Sequence, residues 1–270
     1  MAADPSPAPV GTLAGHTLLA VFAHPDDEAL ACGGTLARAA DAGARIVVVC
    51  ASRGELGPVS DEGLLHEGDL GVTRAHELLA SAAVLGAAEV VQLSHADGYL
   101  RWSEELDADI SSVIVRHRPD TVITFDADGL YWHGDHVGVH ERATAAIAAL
   151  GDHAPGLYYV SLPAGAMRAV VDAGHSHGAA SDSDGLWGVS PEAFGVAAPT
   201  PDFRVDVRPW IERKLAAIRC HLTQVGAGSP FAWIDAEEAG RWLGFEYFRR
   251  SHVGGTGHGT LELLAEGSDA

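Results

Sequence analysis

Lysine is almost missing from this chain: Lys214 is the only one in 270 residues. Lysine and arginine together number 17 against 37 aspartates and glutamates, a formal charge of −20 at pH 7. A surface so poor in cations suits neither nucleic acid nor an anionic membrane, both of which recruit basic patches. Cysteine is scarce too. Cys32, Cys50 and Cys220 are widely spaced and form no CxxC pair, which points to structural thiols in a reducing compartment rather than a disulfide framework. No run of about 18 apolar residues occurs, so no transmembrane helix is expected. Residues 1–15 have neither a basic n-region nor an apolar h-region and read as a loose tail, not a secretory leader. A GxGxxG or GxxxxGK[ST] phosphate loop is absent; Gly33-Gly34 read instead as glycines for close helix–sheet packing. These absences describe a soluble, cytoplasmic protein with no nucleic-acid or membrane partner, and they do not identify a substrate.

What is present is an alternation of apolar strands and helices, with 47% apolar residues to build a core. Apolar runs at 17–23, 45–51, 90–93, 121–125 and 157–162 read as strands. Segments 28–42, 72–85, 103–116, 137–150, 208–222 and 236–249 read as helices. The strand runs are continuously apolar, as in a parallel sheet covered on both faces. The expected fold class is therefore α/β, a Rossmann-like doubly wound, mostly parallel sheet with right-handed crossovers and a smaller C-terminal substrate-side region. One domain spans 16–250, followed by a tail over 251–270. Within it, 164–201 is rich in Gly, Ala, Ser and Asp, loses periodicity, and reads as a variable loop or short β-ribbon on the substrate side.

Two polar clusters interrupt this pattern. Ala23-His24-Pro25-Asp26-Asp27-Glu28 follows the first strand, and Tyr131-Trp132-His133-Gly134-Asp135-His136 follows the fourth. In a doubly wound sheet these strands are neighbours at the topological switch point, where open α/β sheets place their chemistry. Carboxylates crowded at a buried strand end need a compensating cation, and a divalent metal is the simplest. His24, Asp27 and His136 supply two imidazoles and a carboxylate, a donor set with a position left open. Asp26 is then the unligated carboxylate beside the metal and the natural general base. His133 is placed to stabilise an oxyanion or donate a proton, with Asp135 orienting its ring. Glu28 reads as a helix N-terminal carboxylate or a support for a ligand.

AHPDDE after the first strand, with a later HxDH, resembles the PIG-L/LmbE-like zinc N-deacetylases, and the likeness runs from about Thr17 to Gln224. The resemblance implies metal ligation by His24, Asp27 and His136, Asp26 as base, and His133 with Asp135 beside it. It also implies Tyr131 as a group polarising the amide carbonyl, and Arg74 and Asp97 as sugar-binding residues. The stretch Asp206, Lys214, Ala217, His221, Gln224 matches the family's C-terminal pattern; Lys214, Ala217 and His221 share a helix face and suit a structural role. Gly134 departs from the usual HPDH and leaves the orientation of His133 open.

The expected activity is removal of an N-acetyl or other N-acyl group from a glucosamine-type conjugate. The implied cofactor is zinc, with iron or another divalent metal as substitutes. The near alternative is an amidase of the same chemistry on thiol conjugates or glycosylated natural-product intermediates. Two more distant readings are a non-haem iron oxygenase using two His and one carboxylate, and a non-catalytic metal-binding module.

Overall fold

The computed structural model describes residues 12–179, 186–255 and 259–265. Six strands and helices open the chain in strict alternation: β1 (Thr17–Phe22), α1 (Asp27–Asp41), β2 (Arg45–Ser52), α2 (Leu70–Leu85), β3 (Glu89–His95) and α3 (Leu106–His117). There follow β4 (Thr121–Phe125), a single turn α4 (Gly129–Trp132), α5 (Gly134–Ala149), β5 (Gly156–Ser161) and α6 (Ala166–His177). The chain closes with β6 (Phe203–Asp206), α7 (Ile211–Cys220), α8 (Ala236–Trp242) and β7 (Phe245–Arg250).

The strands form one sheet of order β3-β2-β1-β4-β5-β7-β6. The first five are parallel, and β7 joins β5 and β6 antiparallel. Right-handed crossovers send α1 and α2 to one face, where α7 packs on both, and α3 and α5 together to the other. β1 and β4 are direct neighbours, with Leu18 opposite Thr121 and Ala20 opposite Ile123. The order reverses between them, so the turns after β1 and β4 open into one crevice.

The far end of the sheet differs from the sequence expectation. The helix read over 236–249 stops at Trp242, and Phe245–Arg250 is a strand. Its alternation buries Glu246 and Phe248, a period of two that the preceding helix former Ala236–Trp242 hides in a sequence window. β6 was not expected at all; at four residues it is too short to register alone. Within 164–201, α6 forms by burying Met167, Val170, Val171 and Gly174 at helical spacing. Residues 180–185 of that segment lie outside the described residues. Of the tail read over 1–15, residues 1–11 lie outside them too, whereas Leu13 is fully buried and its N–H donates to the Ala42 carbonyl at 2.8 Å. In the tail read over 251–270, Leu261 and Leu264 are fully buried, and 256–258 and 266–270 lie outside the described residues.

The lone lysine is inside. Lys214 on α7 pairs with Glu246 on β7 at 2.5 Å, both side chains 2% exposed. The same Glu246 carboxylate accepts from the Gly34 and Thr35 amides at 2.9 and 2.7 Å. It thereby caps the second half of α1, which restarts after a break at Cys32 (φ −148°). Val207 lies against Gly34 so closely that a Cβ there would stand 2.5 Å from it. One ion pair thus ties α1, α7 and the antiparallel strands together. Lys214→Met leaves that carboxylate buried without its counter-ion, and urea denaturation should read a loss of about 3–5 kcal/mol; a loss below about 1 kcal/mol would refute this account.

Candidate active site

The crevice between the β1 and β4 turns holds a cavity of about 330 Å³ lined by residues of both polar clusters. His24 and Asp27 come from the β1–α1 turn, where the Asp27 carboxylate accepts from the His24 amide at 2.8 Å. His136 comes from the first turn of α5. Its ring stacks on Phe125, the last residue of β4, with centroids 4.0 Å apart and planes 7° apart. Three donor groups meet there. His24 Nδ1 is 3.3 Å from His136 Nε2, His136 Nε2 is 3.2 Å from Asp27 Oδ1, and His24 Nδ1 is 3.5 Å from Asp27 Oδ2. Donors about 2.0–2.1 Å from a tetrahedral ion stand about 3.3 Å apart.

The other side of each ring decides which atom is a donor. His136 Nδ1 is 3.1 Å from the Gly129 carbonyl, which only accepts, so Nδ1 carries the proton. His24 Nε2 is 3.1 Å from Asp97 and 3.2 Å from Asp135, two carboxylates that accept its proton. His24 Nδ1 and His136 Nε2 are therefore the ring atoms left to face each other and the Asp27 carboxylate. Such a set suits a divalent cation, with carboxylate and carbonyl partners setting the tautomers from behind. Burial works against a charged His24, but Asp135, Asp27 and Asp97 outweigh it and hold its pKa well above the ordinary imidazole value. Burial likewise opposes ionisation of Asp27, yet the adjacent His136 and His24 keep it well below the ordinary carboxylate value.

Asp26 stands beside this set on an unusual backbone, with φ 132° and ψ −27°. The peptide ahead of it is held at both ends. Arg74 donates to the Pro25 carbonyl at 2.6 Å, and the Asp26 amide donates to Glu28 Oε2 at 3.1 Å. Arg74 also reaches the Asp26 carboxylate at 3.0 Å and the Gly54 carbonyl at 2.9 Å. Glu28 is fixed in turn, accepting from Ser81 on α2 and from His221 at the end of α7. Burial pushes the Asp26 carboxyl up to about 6, with Arg74 pulling against it.

His133 caps α5 with its ring 5.0 Å from that of His24 and 4.6 Å from that of His136. The donor atoms of these three histidines lie within 4.8 Å of one another. Burial and the neighbouring His136 push the His133 pKa down to about 4, so the ring is neutral near pH 7. Gly134 occupies the first helical position, and a Cβ there would meet no atom within 4 Å, so the site has room for the family's proline as well. Tyr131 sits in the α4 turn between two residues of positive φ, Leu130 and Trp132, and packs on Phe194 with centroids 4.5 Å apart. Burial keeps its phenol well above the usual value and hence protonated.

Three expected roles meet different geometry. Asp135 does not hydrogen bond to His133, whose Nδ1 is buried without a partner; it accepts from His24 and from the Gly98 and Leu100 amides at 2.7 and 3.0 Å. Asp97 accepts from the Leu56 amide at 2.8 Å besides His24, and Arg74 is turned onto Asp26 and two carbonyls. Both line the cavity, but the protein already engages them. Sequence analysis offers Glu28 as a supporting carboxylate and His221 as a match to a family pattern; that Ser81 and His221 hold Glu28 is visible only in the structure.

Residues 19–147 match the family described as PIG-L: GlcNAc-PI de-N-acetylase. A 1D-myo-inositol 2-acetamido-2-deoxy-alpha-D-glucopyranoside deacetylase from Acidothermus cellulolyticus is 32% identical, over 86% of this chain and 88% of the relative. A deacetylase of the same name from Salinispora arenicola is 31% identical over 93% and 89%. The chain belongs to the PIG-L family. An N,N'-diacetylchitobiose deacetylase from Pyrococcus horikoshii shares the PIG-L fold at TM-score 0.58 and 24% identity, covering 87% of this chain and 83% of that one. So does a 4-carboxy-2-hydroxymuconate hydratase from Pseudomonas putida, at 0.56 and 21%, covering 87% and 95%. The PIG-L fold therefore does not by itself name the reaction, and the site has to.

Asp26 supplies a test of the backbone geometry. Asp26→Gly and Asp26→Ala both remove the carboxylate, but only glycine accepts φ 132° without steric cost. Chemical denaturation should find Asp26→Gly more stable than Asp26→Ala by about 1–3 kcal/mol; equal stabilities would mean the turn is unstrained.

Proposed function

We propose that this PIG-L protein is a zinc-dependent hydrolase that removes an N-acyl group, acetyl in the simplest form, from the 2-amino group of a glucosamine-type conjugate. The observation that carries the reading is the meeting of His24 Nδ1, His136 Nε2 and the Asp27 carboxylate at 3.2–3.5 Å, with the other nitrogen of each ring on a carbonyl or carboxylate. His24, Asp27 and His136 would hold the ion. When bound, the ion supplies Lewis-acid charge to a carbonyl and acidifies water near neutral pH.

The chain's own groups do the rest. Asp26, which lines the same cavity on its clamped peptide, takes the proton of the attacking water. Water oxygen bonds to the amide carbon, the C–N bond breaks, and Asp26 returns the proton to the departing amine. Neutral His133 and protonated Tyr131 donate hydrogen bonds where negative charge grows on the carbonyl oxygen. Asp97 and Asp135 keep His24 in the required tautomer. The names of the relatives support a glucosaminyl conjugate as substrate. Among the described residues, no helix is long and apolar enough to cross a membrane. The three cysteines are free, which fits a reducing cytoplasm.

Metal analysis of the purified protein, with mass spectrometry of N-acetylglucosaminyl conjugates for loss of acetyl, tests the reading. Asp26→Ala should retain the ion and lose about 10²–10⁴ in turnover; near-normal activity would remove Asp26 as the base. Chelation should lower the melting temperature, because an ion at about 100 times its Kd adds about 2.7 kcal/mol to the folded state. A melting curve indifferent to chelator, in a protein that holds no ion, would end the proposal.

A further inference from the structure

Any molecule whose amide reaches His24, Asp27 and His136 must lay its remainder against the outer wall of the same cavity. That wall is built by Leu30 of α1, Pro58 of the β2–α2 connection, Trp187 and Val189, Ile218 of α7, and Val225. Four separate segments of chain converge to make it, and none of these side chains carries a formal charge. The polar side chains lining the cavity away from the His/Asp set and its histidine and tyrosine neighbours are Arg74, Asp97 and Gln224. Arg74 is engaged by Asp26 and two carbonyls, and Asp97 by His24 and the Leu56 amide. The Gln224 amide nitrogen donates to the Pro58 carbonyl at 2.8 Å, which leaves its oxygen as the remaining side-chain acceptor. A polyol seated here would bury several hydroxyls without partners, each a cost of about 1–3 kcal/mol.

Trp187 is set in place ahead of any ligand. Leu186 and Val189 exchange both backbone hydrogen bonds, at 2.8 and 2.9 Å, closing a tight turn around it. Within that turn Trp187 has φ 52°, a conformation that costs a bulky residue energy and persists where its surroundings over-determine it. The surroundings are visible. The indole stacks on buried Phe231 with centroids 6.0 Å and planes 19° apart, and its N–H points at the Gln224 carbonyl at 3.4 Å. An aromatic plate fixed in this way binds an apolar surface without an ordering cost.

We infer that the site takes an amino sugar bearing an apolar substituent, an alkyl or aryl group packed between Trp187, Val189, Ile218 and Val225, in preference to a polyol. The inference rests on the proposed reaction for where the amide sits. The apolar group has two chemical sources, the aglycone or an N-acyl chain longer than acetyl. Calorimetry on the metal-loaded protein separates them with two series that are not turned over. One is the n-alkyl glucosaminides from methyl to butyl; the other is glucosamine N-sulfonylated with alkane chains of the same lengths. Affinity should rise about fourfold per methylene in at least one series, and the series that responds names the source. Trp187→Ala should flatten the response and Trp187→Phe should keep most of it. Affinities flat with chain length in both series, or glucosaminyl-inositol bound more tightly than the butyl glucosaminide, would overturn the inference. Neither series needs catalysis, so a protein that deacetylates nothing would overturn the proposed reaction while these titrations still decide the subsite.

Discussion

Two imidazole nitrogens and a carboxylate meeting within 3.5 Å in a buried crevice need positive charge between them, a proton or a cation. The remaining construction serves that meeting of His24, His136 and Asp27. The Gly129 carbonyl takes the proton on one ring, and Asp97 and Asp135 take the proton on the other. The Asp135 carboxylate is itself pinned by two backbone amides, so the tautomer of His24 is set by atoms with little freedom to move. Phe125 stacks on His136 and thereby carries the position of β4 directly into the site.

A chain with so much negative charge and one lysine must place its cations where burial would otherwise be unaffordable. Lys214 is matched to Glu246, and Arg249 makes a two-pronged contact with fully buried Asp126 at 2.8 and 2.6 Å. Arg74 answers Asp26, and His221, raised by Glu28 against the effect of burial, answers Glu28. All four pairs join residues at least 32 positions apart in the chain. They set the frame in which Asp26 can hold an unusual backbone angle, because the peptide before it is gripped from α2 through Arg74 and from α1 through Glu28.

On the proposed reading, chemistry and selectivity are separated in space. The His24, Asp26, Asp27 and His136 groups stand on the turns after β1 and β4. The outer wall comes from the connection after β2, the turn at Trp187 and the end of α7.

The two polar clusters, the strands they follow and the adjacency of β1 to β4 were legible in the sequence, because each depends on local apolar runs and on the handedness of βαβ crossovers. The meeting of His24, Asp27 and His136 was legible as well: His24 and Asp27 lie three residues apart in one turn, and His136 stands at the end of the neighbouring strand's turn. Partners of Asp135, Asp97 and Arg74 were not, since a side chain's hydrogen bonds depend on groups up to 111 residues away, as for Asp135 and His24. β7 escaped because its alternation abuts a helix, and Leu13 because a single buried residue leaves no pattern. The sequence by itself determined which residues stand at the head of each strand, since strands and turns are written in short windows. Only the tertiary structure decided which atom of each residue faces the crevice, because proton positions and backbone strain are settled by neighbours that the chain brings back from afar.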